Sequence, residues 1–88
     1  SFNLNCAYLG IPCIGLKELE SQQLCFPDLS IGDVDLKKGK KLIHKLKNEK
    51  DFYNHCSKLA KENYQKYFAV EKFYTTIENI YIKYKSGH

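Results

Sequence analysis

Gly10-Ile11-Pro12-Cys13-Ile14 is the stretch of this 88-residue chain that decides its fold, because it ends one element and begins another. Gly10 follows the short segment from Asn3 to Leu9 and stands where glycine commonly ends a helix. Pro12 cannot continue that helix, and Cys13-Ile14-Gly15 is a brief apolar run typical of a short buried strand. The stretch therefore predicts a helix that ends at Gly10 and a strand that follows directly.

Downstream of this stretch, helical and extended patterns alternate. Lys17 to Leu24 predicts one or two helical turns, which Phe26-Pro27 ends. Leu29-Ser30-Ile31 alternates inward and outward positions and predicts a second strand that stops at Gly32-Asp33. A helical segment between two strands favours a parallel pair. Because two strands are too few for an independent sheet, we expect missing neighbouring strands or a partner chain to complete it.

From residue 35 onward the sequence predicts three helices, each with its own apolar stripe. Asp35 is expected to cap the first and Asp51 the second, and the third begins near Val70. The stripes are, in order, Leu36, Leu42, Ile43 and Leu46; Phe52, Cys56, Leu59, Ala60, Tyr64 and Tyr67; and Phe73, Tyr74, Ile77, Ile80, Tyr81 and Tyr84. We expect the three stripes to share one core, with Gly39 weakening the first helix.

The chain is expected to form a single partial domain. Residues 1–34 would carry the strands and loops, residues 35–85 a helical tail, and residues 86–88 a disordered end. A chain of this size buries only about 60–65% of its unfolded surface, so an active site between two domains does not fit here. The predicted fold class is α/β, mostly helical by residue count, with two short parallel strands and three C-terminal helices.

Fourteen lysines and no arginine give the chain its net charge of +4. Without the bidentate guanidinium group, sequence-specific nucleic-acid recognition is not expected, whereas lysine alone can still attract phosphate or an anionic membrane surface. No run approaches the roughly 18 apolar residues of a membrane span, and the N-terminus lacks a signal-peptide pattern. The expected location is cytoplasmic, with peripheral contact at the inner face of a membrane as an alternative.

The four cysteines are spaced unlike a zinc site. No two of them lie closer than seven positions, whereas structural zinc ligands usually come in pairs separated by two to four residues. We therefore expect no metal site and buried free thiols at Cys6, Cys13, Cys25 and Cys56. His44 and His55 are expected at the surface without a nucleophile or carboxylate partner, so no catalytic residue is assigned.

The ordered motifs resemble one enzyme family. Gly10-Ile11-Pro12-Cys13-Ile14 looks like the Gly-x-Pro-x-Ile turn into a strand in the C-terminal domain of glycosyltransferases with two facing Rossmann-like domains, the GT-B architecture. Phe26-Pro27-Asp28-Leu29 and a short strand follow, and Phe68-Ala69-Val70-Glu71 is similar to the aromatic-x-x-Glu entry of those enzymes' last helix. The set covers nearly the whole chain and implies the C-terminal portion of a Rossmann-like domain.

The resemblance implies a nucleotide-sugar donor whose diphosphate lies against backbone N–H groups at a helix start, and no further cofactor. Phe2, Asn3 and Leu4 would lie near the phosphates, with Asn5 one turn in. Retaining members usually carry a glutamate where this chain has Asn5, which can bond a ribose hydroxyl without a charge. Glu18 and Gln22 follow the first strand, where they would contact donor or acceptor, or are simply solvated.

The implied activity is glycosyl transfer to an acceptor glycan or lipid-linked glycan. A longer chain with an N-terminal acceptor domain would carry it out, and these 88 residues alone are not expected to be active. An alternative from another class is a small basic helical interaction module that binds a protein partner, an anionic membrane surface, or nucleic acid without sequence preference. A helical hairpin that forms homo-oligomers through exposed aromatic side chains is a third possibility.

Overall fold

The computed structural model describes residues 2–33 and 35–86, except for the side chains of residues 71–73 and 76. Its elements are α1 (Phe2–Leu9), β1 (Gly15–Leu16), α2 (Glu20–Cys25), a 3-10 turn (Pro27–Leu29), β2 (Ser30–Ile31), α3 (Leu36–Asn48), α4 (Lys50–Tyr64), a π-helical turn (Gln65–Ala69) and α5 (Val70–Ser86). The predicted mostly helical chain with two short strands is confirmed. Ser86 is the last residue of α5, and the rest of the predicted disordered end lies outside the described residues.

The helix α1 ends at Gly10, as the sequence predicts. Gly10 has a φ of 72°, its N–H donates to the Ala7 carbonyl at 3.1 Å, and the Ile11 N–H donates to the Cys6 carbonyl at 2.8 Å. This pair of bonds is the Schellman arrangement, which satisfies carbonyls at the end of a helix. Gly10 is also buried, and a Cβ there would overlap the Lys61 side chain. The left-handed backbone conformation is what favours glycine here, since the flexible, exposed Lys61 side chain can move aside.

The two strands pair in parallel, as predicted, with Gly15 opposite Ser30 and Leu16 opposite Ile31. Both strands are shorter than expected and begin later, because Cys13 and Ile14 precede β1 and Leu29 closes the 3-10 turn before β2. The connection between the strands contains α2, which provides the crossover that a parallel pair needs.

The core lies where α1, α2 and α4 meet. Its buried apolar members are Cys6, Ala7, Cys25, Phe26, Leu29, Cys56, Ala60 and Tyr64. Asn63 on α4 donates a hydrogen bond from its side-chain amide to the Leu24 carbonyl at 2.8 Å and so joins α4 to α2. All four cysteines are free thiols, as predicted, and Cys13 is the only half-buried one. The cysteines thus act as small apolar side chains in this core.

The helix α3 begins with the predicted cap, since the Lys38 N–H donates to Asp35 Oδ1 at 3.1 Å. Leu42 and Leu46 pack against the core, but Leu36 and Ile43 are 74% and 57% exposed. The prediction that all four share the core is therefore wrong for Leu36 and Ile43. These two lie at the edge of the apolar stripe, outside the part of α3 that packs against the core.

Gly39 lies on the inward side of α3 and is buried. A Cβ built there would lie 3.6 Å from Ile31 Cδ1, an ordinary contact distance, so an alanine would fit against β2. The packing therefore does not require glycine at this position, and Gly39 lowers the helix propensity of α3.

The helix α4 begins two residues earlier than predicted, at Lys50. Its N-cap is Glu49, without a side-chain cap bond, and Asp51 lies within the first turn, so the cap prediction for Asp51 is wrong. The carboxylate of Asp51 still lies near the positive end of the helix dipole, where a negative charge is favourable.

The helix α5 begins at Val70, as predicted, and continues from α4 through the π-helical turn without a break. Its side chains do not join the core as expected. The exposed large residues are Val70, Tyr74, Ile77, Ile80, Tyr81, Ile82 and Tyr84. The physical reason is the uninterrupted helix, which carries α5 away from the packed helices and gives a molecule of 57 × 27 × 15 Å. Phe73 of the same predicted stripe lies outside the described side chains.

Candidate functional site

The predicted donor-contacting residues form the first turn of α1. Phe2 is 74% exposed and Asn5 is exposed, whereas Asn3 and Leu4 are half-buried. The first N–H groups of any helix lack partners within it and carry its partial positive charge. This turn contains no acidic residue. Its exposed side therefore presents amide groups of the kind that attract an anion.

Two of the four predicted side chains point into the protein instead of toward a ligand. The Asn3 side-chain amide donates to Gln22 Oε1 at 2.5 Å, and Leu4 packs against the core. The side chains of Phe2 and Asn5 are the ones that the first turn of α1 presents to solvent.

Gln22 is placed quite differently from its prediction as a solvated loop residue or a ligand contact. It lies within α2 and is fully buried. Its Nε2 donates to the Cys13 carbonyl at 2.7 Å and to the Leu29 carbonyl at 3.3 Å, while Oε1 accepts from Asn3. One side chain thus connects α1, the segment before β1 and the turn before β2. Gln22 is a structural residue that holds the candidate site in place.

Gly15 shows how closely Gln22 packs against β1. A Cβ at Gly15 would lie 2.6 Å from Gln22 Oε1. The glycine at the start of β1 therefore makes room for the buried amide, so the first strand and the hydrogen-bond network depend on each other. The periodicity of the sequence contains no signal for this pairing, because an amide on a short helix usually faces water.

Glu18 remains in the position that the sequence predicts, exposed in the turn after β1. Lys17 precedes it and extends across Gly32, since Lys17 Cε would lie 3.8 Å from a Cβ built on Gly32. The residues that follow β1 and β2 meet at the carboxyl edge of the strand pair, the edge where open parallel sheets bind ligands.

His55 has a carboxylate partner that the sequence analysis missed. His55 Nε2 lies 2.9 Å from Asp28 Oδ2, and both side chains are about half exposed. The residues are 27 positions apart, so only tertiary packing brings them together. His44 is exposed as predicted, and its ring Nδ1 lies 3.2 Å from the Asn48 side-chain amide.

The thiols are poor nucleophiles where they lie. Burial, the nearby Cys6 and a hydrogen bond with Cys6 together raise the pKa of Cys13 from 9.0 to about 11. Burial also raises the pKa values of Cys25 and Cys56, and the carboxylate of Asp28 adds to the effect at Cys56. Because the thiolate is the reactive form, these cysteines are protonated and unreactive near neutral pH.

Among the residues that the structure describes, no cluster of three or more histidine, cysteine, aspartate or glutamate side chains has the arrangement of a metal site. Within the same described part of the chain, no helix has the length and apolar character needed to cross a membrane.

Comparison with known proteins gives no match: no protein family, no curated protein and no solved structure matches the chain. A functional assignment therefore depends on the residues and geometry of the chain itself.

Proposed function

We propose that this chain is the C-terminal segment of the nucleotide-sugar-binding domain of a GT-B-type glycosyltransferase, with a Rossmann-like sheet of which β1 and β2 are the last strands. One observation carries the proposal. The Gly-x-Pro segment joins the end of α1 to a strand of a parallel pair, and the first turn of α1 is free of acidic groups and exposed on the side of Phe2 and Asn5. That combination of a helix start and a carboxyl strand edge suits a diphosphate.

In the proposed complex, the donor diphosphate accepts hydrogen bonds from the amides at the start of α1. The Asn5 side chain, one turn in and exposed, bonds a donor hydroxyl. Transfer breaks the bond between the sugar's anomeric carbon and the diphosphate oxygen, and the acceptor hydroxyl oxygen forms the new bond while releasing its proton. The contribution of this segment is to position the donor and to stabilise the departing diphosphate. A preceding acceptor domain completes the enzyme in this proposal.

The proposal is tested on the complete gene product with nucleotide sugars by isothermal titration calorimetry. We expect Asn5→Ala to weaken donor binding about fivefold, since it removes the side chain that bonds a donor hydroxyl, a hydrogen bond that contributes roughly 1 kcal/mol. Asn54→Ala is the matched control, because Asn54 is an exposed asparagine on α4 and the variant removes the same side chain elsewhere. Donor affinity that is equally affected by both variants would contradict a donor site at α1.

A further comparison tests the incompleteness of the segment. The isolated 88-residue chain is expected to bind nucleotide sugars weakly or not at all, whereas the longer protein binds them. Equal and tight binding by both would show that the segment is a complete site.

The exposed apolar residues of α5 favour a second candidate, a small helical interaction module. A helix whose large side chains are exposed is expected to meet a partner, either a second protein or another copy of this chain. Sedimentation velocity of the wild-type chain and of Ile77→Ser/Ile80→Ser tests self-association. A wild-type dimer that the variant converts to monomer supports the module, and a wild-type monomer at all concentrations rules out homo-oligomers.

A further inference from the structure

The outer surface of α3 carries a concentrated positive charge. Six lysines lie within its thirteen residues, which include no acidic residue. All six are exposed: Lys37, Lys38, Lys40, Lys41, Lys45 and Lys47. We refer to these six side chains as the α3 lysine face. The ion pair that the described residues form, between His55 and Asp28, does not involve this face.

Two of the six lysines have local contacts. Lys38 Nζ donates to the Ser30 carbonyl at 3.3 Å, and Lys45 Nζ lies 4.2 Å from the centre of the Phe52 ring. Neither contact neutralises the charge, because a carbonyl and an aromatic ring are uncharged. Among the described residues, no carboxylate forms an ion pair with the α3 lysine face, so its positive charge is not neutralised by direct pairing.

Two exposed apolar side chains lie beside the lysines on the surface of α3. Leu36 and Ile43 are 74% and 57% exposed and seven residues apart, which places them on one line of the helix about 10 Å from each other. Lys40 and Lys47 follow them by four residues each and lie on the same line. Apolar and basic side chains thus alternate along the outer edge of α3.

The packing of the folded domain does not explain why apolar side chains lie at this edge of α3. The side of α3 that packs inward consists of Gly39, Leu42 and Leu46, and it is already covered. Leu36 and Ile43 lie outside that packed side of α3, so contacts with the core do not compensate for their exposure to water.

We propose that the outer face of α3 docks on an anionic phospholipid bilayer. The α3 lysine face meets the negatively charged headgroups, and Leu36 and Ile43 enter the boundary between headgroups and acyl chains. A lipid surface fits better than a nucleic acid, because a phosphate backbone offers no apolar region for two aliphatic side chains. This inference does not depend on glycosyl transfer, and its experiments involve no nucleotide sugar.

The electrostatic half of the proposal is tested by co-sedimentation of the 88-residue chain with vesicles. We expect binding to mixed phosphatidylglycerol and phosphatidylcholine vesicles, and none to phosphatidylcholine alone. Lys40→Gln/Lys47→Gln should weaken binding by about thirtyfold, since each lysine near an anionic surface contributes about fivefold. The matched control Lys58→Gln/Lys83→Gln removes the same charge from exposed positions on α4 and α5, and it should change binding by less than about threefold.

The apolar half is tested with Leu36→Ser/Ile43→Ser, which should weaken vesicle binding by about tenfold. Because both side chains are exposed, circular dichroism should show an unchanged fold. The control Leu9→Ser/Ile11→Ser alters two exposed apolar residues at the end of α1 and should bind as the wild type does. The proposal is overturned if this control variant loses as much binding as the α3 variant, or if the wild type does not bind anionic vesicles at low ionic strength. Binding to an oligonucleotide but not to vesicles would also overturn the proposal, because it would identify a nucleic-acid surface instead.

Discussion

Replacement of Gln22 by methionine should destabilise the chain severely, because Gln22 is a fully buried amide with every polar group in use. Methionine has a similar length and no strong donor or acceptor. The change leaves the buried Leu29 carbonyl, the half-buried Cys13 carbonyl and the Asn3 amide without their partner. An unsatisfied buried group costs about 1–3 kcal/mol, and the half-buried groups recover part of this from water. We expect a net loss of about 3 kcal/mol.

That loss is large beside the whole stability of the chain. A domain of this length has an unfolding free energy of roughly 4–13 kcal/mol at about 0.05–0.15 kcal/mol per residue. Urea unfolding followed by far-ultraviolet circular dichroism measures the difference. Gln23→Met is the matched control, because Gln23 is the exposed neighbour on the same helix, and it should change stability by less than about 0.5 kcal/mol. Equal effects of the two variants would refute the role assigned to the buried amide.

A double-mutant cycle isolates one part of the network. Asn3→Ala alone, Gln22→Met alone and both together should show a coupling free energy of about 1 kcal/mol, since the two side chains share a hydrogen bond. Strictly additive effects would mean that this hydrogen bond contributes nothing to stability.

The remaining predictions concern a turn and the thiols. Gly10→Ala should cost about 1–2 kcal/mol for the left-handed backbone, whereas Gly32→Ala, whose added Cβ has its nearest neighbour 3.8 Å away, should be nearly neutral in the same urea assay. Equal stability of the two alanine variants would contradict this explanation of the turn. Because the pKa of Cys13 is raised in the folded state, its contribution to stability is present below pH 9 and is lost as pH rises toward about 11, which urea unfolding across that range checks against Cys13→Ala. Cys25 should react with a thiol reagent only after urea unfolding, and rapid labelling of the folded chain would show that it is less buried than described.

The order of elements was predictable from the sequence because local signals set it. Gly10 ends α1 through its backbone conformation, Pro12 prevents continuation, and Asp35 caps α3 through a bond to a residue three positions away. Each of these effects acts within a few residues along the chain, so the sequence contains all that is needed to infer it.

The candidate site was only partly predictable. The first turn of α1 was expected to contact a donor, but two of its four side chains face inward. Asn3 donates a hydrogen bond to Gln22, and Leu4 packs against the core. The pairing of His55 with Asp28 was missed for the same reason, since no local pattern connects residues 27 positions apart. The exposure of α5 was missed because an apolar stripe shows that a helix can bury one face without showing whether anything covers it.

The sequence by itself determined which segments become helices and strands, and where glycine, proline and aspartate divide them. Only the tertiary structure decided which apolar faces meet: α4 is buried against α1 and α2, whereas α5 continues past them into solvent. It also decided that one glutamine belongs to the core. The physical reason is distance, since backbone conformation depends on neighbours along the chain, while burial and hydrogen-bond partners depend on segments that fold together from remote positions.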